Sequence, residues 1–351
     1  MMNKGDLCLV TGVSGYLASW LAKDLLDQGY RVRGTVRDLR DERIPVLRTL
    51  LPGVELVAAD LRRETNWDAG VAGCQWIFHV ASPQAVKSEH DRTGGAVAGT
   101  QHLLAAAFAE SAVRKVVVTG SVAAVAYGHP RSKRNFSEDD WTDLDGIGAG
   151  AGSDYFRSKT LAERLAWQWA GDAQRNPRGV PLATVNPGLI LGPSLVPWGR
   201  FSLDTLRDIA LGKSPLMVDM DLATVDVRDC AQMHIAVMND EASAGRRHLS
   251  IGITGKFVDL ARMVRRDFGP VGFRPSIRLA PQWFIWLLSR VSSEVASIYS
   301  HIGNSIRYQP RHPEVYAYRY RSLDALVRET MESLFAHGWL TPKRTTVQGA
   351  A

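Results

Sequence analysis

Apolar and polar positions in the first half of the chain follow two alternating patterns. Short, nearly continuous apolar runs predict strands in the segments DLCLVTG, YRVRGTVR, VELVAAD, WIFHVAS, RKVVVTGS and PLATVNPG. Helical periodicity between these runs predicts helices over residues 16–28, 39–50, 90–111 and 154–171. Because strands that are apolar on both faces alternate with helices, we expect an α/β fold whose parallel sheet is covered on both sides.

The pattern is less regular after Gly188. Prolines and glycines interrupt the chain as far as Pro215, which predicts loops with short helices. Further on, the segment TVDVRDCAQMHIAVM leads into a helix and RRHLSIG predicts a strand. Helices are also predicted over residues 256–268 and 323–335.

An apolar stretch begins at Trp283, where positions 284, 287, 288, 291, 295 and 298 predict the apolar face of one helix. Such a face either packs on its own domain or binds a membrane surface or a partner, and a membrane-surface helix normally has a more basic opposite face. The most apolar run, Trp283 to Leu288, has six residues. It is too short to span a bilayer, so no membrane span is expected.

Composition and charge narrow the class of protein. With 351 residues, 45% hydrophobic and 22% charged, the chain has the composition of a globular enzyme of one large or two joined domains. The net charge of +6 is scattered. The densest basic stretch, Arg131 to Arg134, is short and lacks interleaved aromatic residues, so nucleic-acid binding is not expected.

The chain has three cysteines, Cys8, Cys74 and Cys230, and none forms a Cys-x-x-Cys pair. Cys8 and Cys74 have apolar or small neighbours, which predicts core thiols rather than ligands or disulfides. A cytoplasmic location follows as an expectation. We also expect no signal peptide, because a strand-like run begins at Asp6.

A glycine-rich turn follows the first predicted strand. In the sequence TGVSGYLA, Gly12 and Gly15 are three positions apart and Ala18 follows three later. Small residues at these positions permit a tight turn, close approach to a pyrophosphate and close packing of helix on strand. Because the turn also opens a helix, whose N-terminal amides attract phosphate, it predicts dinucleotide binding.

The end of the second predicted strand bears on the choice between two dinucleotides. An acidic residue at this place binds the ribose 2′-hydroxyl of NAD, whereas an arginine accommodates the 2′-phosphate of NADP. Here Arg37 precedes Asp38. We favour NADP(H) over NAD(H), since a guanidinium can bind phosphate with two hydrogen bonds. In the alternative, Asp38 binds the ribose and the cofactor is NAD.

Tyr155 and Lys159 are four residues apart on a predicted helix, so both side chains lie on one face. A nearby ammonium lowers the pKa of a phenol, which can then exchange a proton with a carbonyl oxygen or an alcohol. Ser121 ends a predicted strand at the edge where parallel sheets bind ligands, and its hydroxyl can bind the same oxygen. Ser121 could instead serve only as a turn cap.

With these residues assembled, the sequence resembles the extended short-chain dehydrogenase/reductase family. It is most similar to the branch of dihydroflavonol reductases, cinnamoyl-CoA reductases and yeast-type aldehyde and methylglyoxal reductases. The resemblance extends to about residue 340 and is carried by Thr11–Ala18, Thr35–Asp38, Asp60–Leu61, His79–Pro83, Tyr155–Lys159, Asn186–Pro193 and Val225–Asp229. The family's Thr-Ser-Ser run is Thr119-Gly120-Ser121 here, a departure that leaves Ser121 as the matching serine.

The resemblance implies hydride transfer between NADPH and a small carbonyl substrate, by a monomer or homodimer. Tyr155 donates the proton, Lys159 lowers the pKa of the tyrosine and holds the ribose, and Ser121 binds the oxygen. The family's cofactor contacts map onto Gly12, Val13, Ser14, Gly15, Tyr16, Leu17, Arg37, Asp60, Leu61, Val80, Ala81, Ser82, Thr119, Tyr155, Lys159, Pro187, Gly188 and Leu189. No metal is needed, and histidines such as His79, His90, His102, His234 and His248 lack ligand spacing.

The fold expected is a Rossmann doubly wound parallel sheet with a smaller mixed C-terminal substrate-binding region. We assign residues 1–188 to the dinucleotide-binding domain, with 226–251 returning to it. Residues 189–225 and 252–340 form the substrate-binding region, and 341–351 form a frayed tail.

Substrate contacts are expected from loops at residues 84–90, 124–153 and 189–220, together with the helix at Trp283–Trp286. Val125, Leu189, Val196, Trp198 and Phe201 either line an apolar pocket or belong to the core. We expect the substrate to be an aldehyde or ketone. Its remaining part could be apolar or aromatic.

Two other functions stay open at this point. One is an NAD-dependent nucleotide-sugar epimerase or dehydratase, or a hydroxysteroid dehydrogenase, of the same superfamily. The other is a dinucleotide sensor without turnover, although the presence of Ser121, Tyr155 and Lys159 argues against it.

Overall fold

The structure of the protein is a computed structural model. It describes residues 1–82, 89–148, 151–199, 201–316 and 320–342, with the backbone alone described at 89–92, 151–152, 201 and 316. The predicted substrate loop at residues 84–90 and the predicted frayed tail therefore lie almost entirely outside the described residues.

Strands occupy the predicted apolar runs and several further segments. They are β1 Leu7–Val10, β2 Arg31–Val36, β3 Glu55–Ala58, β4 Trp76–His79, β5 Lys115–Thr119, β6 Asn135–Phe136, β7 Leu182–Pro187, β8 Leu189–Leu191, β9 Asp221–Asp226, β10 Arg247–Ser250, β11 Ile253–Lys256 and β12 Arg307–Tyr308.

Helices connect these strands and cover the sheet. They are α1 Tyr16–Asp27, α2 Ile44–Leu50, α3 Trp67–Val71, α4 Glu89–Ala109, α5 Ala151–Ala170, α6 Phe201–Ala210, α7 Val227–Asn239, α8 Phe257–Phe268, α9 Gln282–Ser289, α10 Ser293–Ile298 and α11 Leu323–Ala336.

A seven-stranded parallel sheet in the order β10-β7-β5-β4-β1-β2-β3 forms the centre of the described part of the chain. The chain builds outward from β1 through β2 to β3, then crosses back to β4 and builds in the other direction. Strand order therefore reverses between β1 and β4, and such a reversal opens a crevice at the carboxyl ends of the strands. The Rossmann arrangement expected from the sequence is confirmed.

Both faces of the sheet are buried. Along β1, Cys8 and Val10 belong to one apolar cluster, whereas Leu7 and Leu9 belong to another. Successive side chains of a strand point to opposite faces, so β1 contributes to a core on each side of the sheet. Cys8 and Cys74 are fully buried, as predicted.

A smaller mixed sheet lies beyond β7, with β9 pairing parallel to β8 and antiparallel to β11. The pair β6–β12 aligns Phe136 with Tyr308. These pairings bring residues from late in the chain to the carboxyl edge of the large sheet. No helix within the described ranges is both long and apolar enough to cross a membrane.

Two predicted helices differ from those observed. The helix predicted over 39–50 begins only at Ile44, because Asp38 and Asp41 accept backbone hydrogen bonds that form turns and Pro45 lies in the first helical turn. The single apolar helix predicted from Trp283 is two helices, α9 and α10. Ser292 separates them, since its hydroxyl accepts a hydrogen bond from the Val295 amide and caps α10.

Candidate active site

A cavity of about 780 Å³ lies at the carboxyl edge of the seven-stranded sheet. Its walls include residues that follow five strands within two positions: Gly12 after β1, Arg37 after β2, Val80 after β4, Gly120 after β5 and Gly188 after β7. Ligands of doubly wound sheets bind at this edge. The cavity is of the size that small-molecule and cofactor sites usually have, about 300–1,000 Å³.

The glycine-rich turn forms the floor of the cavity, where small side chains are required. Gly12 has φ +65°, and a Cβ added there would lie 3.0 Å from the Cβ of Ala81. A Cβ at Gly15 would lie 3.1 Å from the carbonyl oxygen of Gly12. Helix α1 begins directly afterwards, with no side-chain cap and no acidic residue in its first turn. Its N-terminal amides therefore suit the phosphates of a dinucleotide.

Hydrogen bonds hold the turn against its neighbours. The Gly12 amide donates to Thr35 Oγ1 at 2.8 Å. The amides of Val80 and Ala81 donate to Thr11 Oγ1 at 3.0 and 2.9 Å. Because each bond joins strand ends of the same sheet, the floor of the cavity is fixed before any ligand binds.

All but one of the predicted cofactor contacts line the cavity. Val13 does not, because its side chain is fully buried against β2: a Cβ at Gly34 would lie 2.4 Å from Val13 Cγ1. Val13 thus supports the turn from below. Tyr16 reaches the cavity, but its hydroxyl donates to the Gly192 carbonyl at 2.8 Å and so ties α1 to the segment after β8.

One end of the cavity is bordered by charged side chains around Arg37, which is exposed. Asp38 accepts hydrogen bonds from the Arg40 guanidinium at 3.1 and 3.0 Å. Asp60 accepts from Arg62 Nη2 at 2.6 Å, and these hydrogen bonds lower the pKa of Asp60. Both carboxylates are therefore engaged by the arginine two residues later.

Ser121, Tyr155 and Lys159, called the proton-transfer set below, line the other part of the cavity together. Ser121 Oγ lies 3.4 Å from Tyr155 Oη, a long hydrogen bond. Tyr155 and Lys159 project from the same face of α5. Ser121 also accepts a hydrogen bond from the Ala123 amide at 3.1 Å, so it caps the turn and lines the cavity at once.

The charge of Lys159 lies in surroundings that disfavour it. Loss of hydration lowers the pKa of Lys159 to about 8, although the carboxylate of Glu163 counteracts part of that effect. Burial, reinforced by the charge of Lys159, lowers the pKa of His79 to about 3. His79 is accordingly neutral and lies between the hydroxyls of Thr11 and Thr100, at 3.1 and 3.3 Å. Its place in the fold is structural.

A buried polar network lies directly beneath the proton-transfer set. Glu163 accepts hydrogen bonds from Arg247 Nε at 2.7 Å and from Asn186 Nδ2 at 2.6 Å. Asn186 Nδ2 also donates to the backbone carbonyl of Ser121 at 3.3 Å. The network thus joins α5, β7 and β10 to the backbone that carries Ser121.

This network explains the glycine next to Ser121. A Cβ added to Gly120 would lie 2.4 Å from Asn186 Nδ2 and 2.7 Å from Glu163 Oε2. The sequence indicated only that Gly120 departs from the family's pattern. Glu163 could have been found as the next residue on the helix face of Tyr155 and Lys159, but nothing in the sequence pointed to Arg247.

Aromatic and apolar side chains surround the cavity beside Tyr155. Tyr127 and Phe156 have ring centroids 4.1 Å apart, and Tyr308, Ile190 and Leu222 also contribute to the wall. Burial, together with the nearby Tyr155, raises the pKa of Tyr127 to about 12, so this phenol stays protonated. The sequence did not identify Tyr308, which reaches the cavity through the β6–β12 pairing.

The predicted pocket residues divide between the cavity and the core. Leu189 and Trp198 line the cavity. Val125 and Val196 are fully buried in apolar clusters and belong to the core. The side chain of Phe201 lies outside the described residues. The helix at Trp283–Trp286 contributes nothing to the cavity wall, so the expectation that it contacts the substrate was wrong.

Comparisons with known proteins agree with this geometry. Residues 8–252 match the NAD dependent epimerase/dehydratase family. Cinnamoyl-CoA reductase CAD2 of Medicago truncatula is 34% identical over 286 residues, covering 79% of this chain and 83% of the relative. Tetraketide alpha-pyrone reductase 1 of Arabidopsis thaliana is 34% identical over 252 residues, covering 69% and 75%.

Solved structures show the same fold. Yeast methylglyoxal/isovaleraldehyde reductase Gre2, solved as a complex with NADPH, aligns with a TM-score of 0.76 at 18% identity. The alignment covers 95% of this chain and 100% of the other.

Proposed function

The chain belongs to the NAD dependent epimerase/dehydratase family, within the extended short-chain dehydrogenases/reductases, and is an oxidoreductase; we propose that it reduces an aldehyde or ketone to the alcohol with NADPH. The observation that carries the proposal is the proton-transfer set. Ser121 Oγ and Tyr155 Oη lie 3.4 Å apart in the wall of a cavity that also contains Lys159 and the glycine-rich turn.

The residues around the cavity fit a dinucleotide. Gly12 and Gly15 leave space over the N-terminus of α1 for the pyrophosphate, and Lys159 faces the cavity where it can hold ribose hydroxyls. When bound, NADPH supplies the hydride for the substrate carbon. The protein's part is to orient the carbonyl group, bind its oxygen and deliver a proton.

In this proposal Tyr155 Oη donates a proton to the carbonyl oxygen as negative charge develops there. The Ser121 hydroxyl donates a second hydrogen bond to the same oxygen, and at 3.4 Å from each other the two hydroxyls can both reach one acceptor atom. The ammonium of Lys159 favours the phenolate that Tyr155 becomes. The hydrogen bonds from Asn186 to Glu163 and to the Ser121 carbonyl fix the position of α5 relative to the Ser121 backbone. Tyr155 and Ser121 are thereby held close enough to bind the same oxygen.

Preference for NADPH over NADH rests on Arg37. Arg37 is the residue directly after β2, and its exposed side chain borders the cavity. An arginine at this place can bind the 2′-phosphate of NADP. An NAD site would use a carboxylate to bind the 2′-hydroxyl, and the acidic residue at this place, Asp38, forms an exposed ion pair with Arg40 at 3.0 Å.

The substrate proposed is a small carbonyl compound with an apolar or aromatic body. Tyr127, Phe156 and Tyr308 surround the space beside Tyr155, and aromatic walls favour flat, apolar ligands. We further propose the division made from the sequence: residues 1–188 with 226–251 bind the cofactor, and 189–225 with 252–340 form the substrate-binding region. A cytoplasmic monomer or homodimer completes the proposal.

A substrate screen tests the proposal. Purified protein is offered aryl aldehydes, diketones and flavanonols, with NADPH and NADH side by side, and oxidation of the reduced nicotinamide is followed by its absorbance. We expect oxidation of NADPH by at least one carbonyl class, with NADH much less effective. Binding of NADPH without oxidation by any of these compounds would contradict the proposal. Release of tightly bound NAD on denaturation would instead favour a sugar epimerase or dehydratase.

A further inference from the structure

The exposed apolar side chains are concentrated in one short segment. Among the residues that the structure describes, ten large apolar side chains are exposed, and six of these lie between positions 277 and 291. They are Ile277, Leu279, Trp283, Trp286, Leu287 and Val291. Trp283 is 68% exposed and Val291 80% exposed. Single exposed apolar residues are common on proteins, but a contiguous group of this kind marks an interaction surface.

Four of the six form one stripe on α9 and the turn after it. Trp283, Trp286 and Leu287 are separated by helical spacings of three and four positions from the first, so they lie on one face of α9, and Val291 follows in the turn after the helix. Ile285, on another face of the same helix, is buried in the protein. Helix α9 is thus apolar toward the core and apolar toward the outside. An apolar outer face is what a helix has when a second surface covers it.

Within residues 269–293, which carry this stripe, the charged side chains have one sign. Between Phe268 and Glu294 the sequence has no aspartate or glutamate, and it has three arginines, Arg274, Arg278 and Arg290, all exposed. The Arg290 guanidinium lies 5.0 Å from the centroid of the Trp286 ring, so cation and aromatic ring share the same outer face. The partner that complements this surface is therefore apolar with negative charge at its boundary.

A second copy of the chain does not meet that requirement. In a symmetric dimer the same patch faces itself, which would bring the arginines of both copies together. Glu294 at the edge is the nearest acidic residue in the sequence, and the next along the chain in the other direction, Asp267, is already held by Arg266. Self-association through the stripe would bring three arginines and one Glu294 from each copy together, which leaves an excess of positive charge.

We propose that the segment 277–291, which carries this stripe together with the exposed Ile277 and Leu279, docks the protein onto the surface of an anionic lipid bilayer without crossing it. Tryptophan is favoured at the boundary between headgroups and hydrocarbon, and arginines beside it attract anionic headgroups. This inference is independent of the reaction proposed above.

The position of the stripe has a consequence for ligand access. Leu279 forms a backbone bridge with Met217. Asp221, four residues after Met217, lies in the cavity wall together with Leu222. The bridge thus brings one edge of the docked segment within a few residues of the cavity wall. An apolar carbonyl compound dissolved in the bilayer would have its reservoir at that side of the molecule.

Flotation with lipid vesicles tests the proposal on the full chain. Vesicles of phosphatidylcholine alone are compared with vesicles that also contain phosphatidylglycerol, at low and high salt. We expect binding to the anionic vesicles, weakened by salt. Removing both tryptophans (Trp283→Ser with Trp286→Ser) lowers the partition coefficient about ten-fold or more, because two large apolar side chains no longer insert. Arg278→Gln and Arg290→Gln each lower it about five-fold.

Val46→Ser is the matched control, since Val46 is also exposed and apolar but lies on α2; it leaves vesicle binding unchanged. Melting temperature and NADPH binding, measured on every variant, separate loss of docking from loss of fold. The proposal is overturned if the protein does not bind anionic vesicles, or if the double tryptophan variant binds them as well as Val46→Ser does. A dimer in solution that the tryptophan variant converts to a monomer, without vesicle binding, would assign the stripe to a second copy instead.

Discussion

At the scale of single residues, the proposed chemistry depends on how Lys159 is held. Its ammonium is buried in the wall of the cavity, and among the described residues the charge of Glu163 counteracts the loss of hydration. Relative to the unfolded chain, where a lysine has a pKa of about 10.4, the folded protein releases this proton more readily. Keeping Lys159 charged below pH 8 therefore lowers the stability of the fold, and this penalty disappears as pH rises toward 10. Lys159 is therefore a residue whose charged form destabilises the folded protein, although the proposed reaction needs that charge.

The low pKa of Lys159 predicts the pH dependence of reduction. We expect kcat/KM, which reports the free enzyme, to fall as pH rises through about 8, because the charge that favours the Tyr155 phenolate is lost. In Lys159→Arg the cation persists to higher pH, so the falling limb should move upward even though kcat is lower. A limb that stays at the same pH in Lys159→Arg would assign the titration to another group.

Arg37 predicts how the protein distinguishes two cofactors. Arg37→Gln should weaken NADPH binding about ten- to a hundred-fold, as expected for the loss of a charge-assisted phosphate contact of about 1.5–3 kcal/mol, and leave NADH binding nearly unchanged. Fluorescence titration of both cofactors measures the effect. Arg48→Gln, which removes an exposed arginine from α2, serves as the control for general charge. Equal weakening of both cofactors in Arg37→Gln would show that Arg37 does not bind the 2′-phosphate.

At the scale of elements, the site depends on three that converge beneath Ser121. Strand β5 ends at Thr119, β7 contributes Asn186, and α5 contributes Glu163. Glu163 and Arg247 form a buried ion pair at 2.7 Å, with side chains 1% and 8% exposed. A buried pair of this kind adds little net stability, but leaving one partner alone costs about 3–5 kcal/mol. Its value here is that it fixes the backbone of Ser121.

Gly120 tests this convergence. Gly120→Ala should destabilise the protein by about 1–3 kcal/mol and lower kcat, because the new methyl group displaces the Asn186 amide and the Glu163 carboxylate. Denaturant unfolding and steady-state kinetics measure the two effects. In the control Gly94→Ala, on the open side of α4, a Cβ meets no atom within 4 Å, so stability is unchanged or slightly increased. If Gly120→Ala behaved like Gly94→Ala, the packing beneath Ser121 would not constrain the site.

The sequence predicted helices and strands correctly where the apolar pattern was regular. It misplaced helix ends where local hydrogen bonds determine them. The strands of the large sheet and the helices α1, α4 and α5 follow from apolar periodicity alone. The start of α2 was wrong because the turns at Asp38 and Asp41 compete with helix. The break between α9 and α10 was missed because the apolar pattern continues through it, although Ser292 offers a cap. Short pairs such as β6–β12 depend on residues far apart in the chain.

At the scale of the whole molecule, the proton-transfer set was predictable and its surroundings were not. Ser121, Tyr155 and Lys159 stand in recognisable motifs, and the sheet brings them to one cavity. Arg247 and Tyr308 reach the same place only through the packing of late elements, which no local motif reports. The exposure of Trp283, Trp286 and Leu287 on α9 was likewise not predictable from the sequence, since the same apolar residues are also typical of a buried helix.

The rate at which Tyr155→Phe reduces a carbonyl substrate that the unsubstituted protein accepts tests the proposed reaction. We expect kcat to fall about 10²- to 10⁴-fold, because the proton donor is gone, while NADPH binds as before. Tyr30→Phe, which removes a hydroxyl from a partly buried tyrosine outside the cavity, keeps full activity. Equal rates for Tyr155→Phe and Tyr30→Phe would contradict the assignment of Tyr155 as the acid and, with it, the proposed reaction.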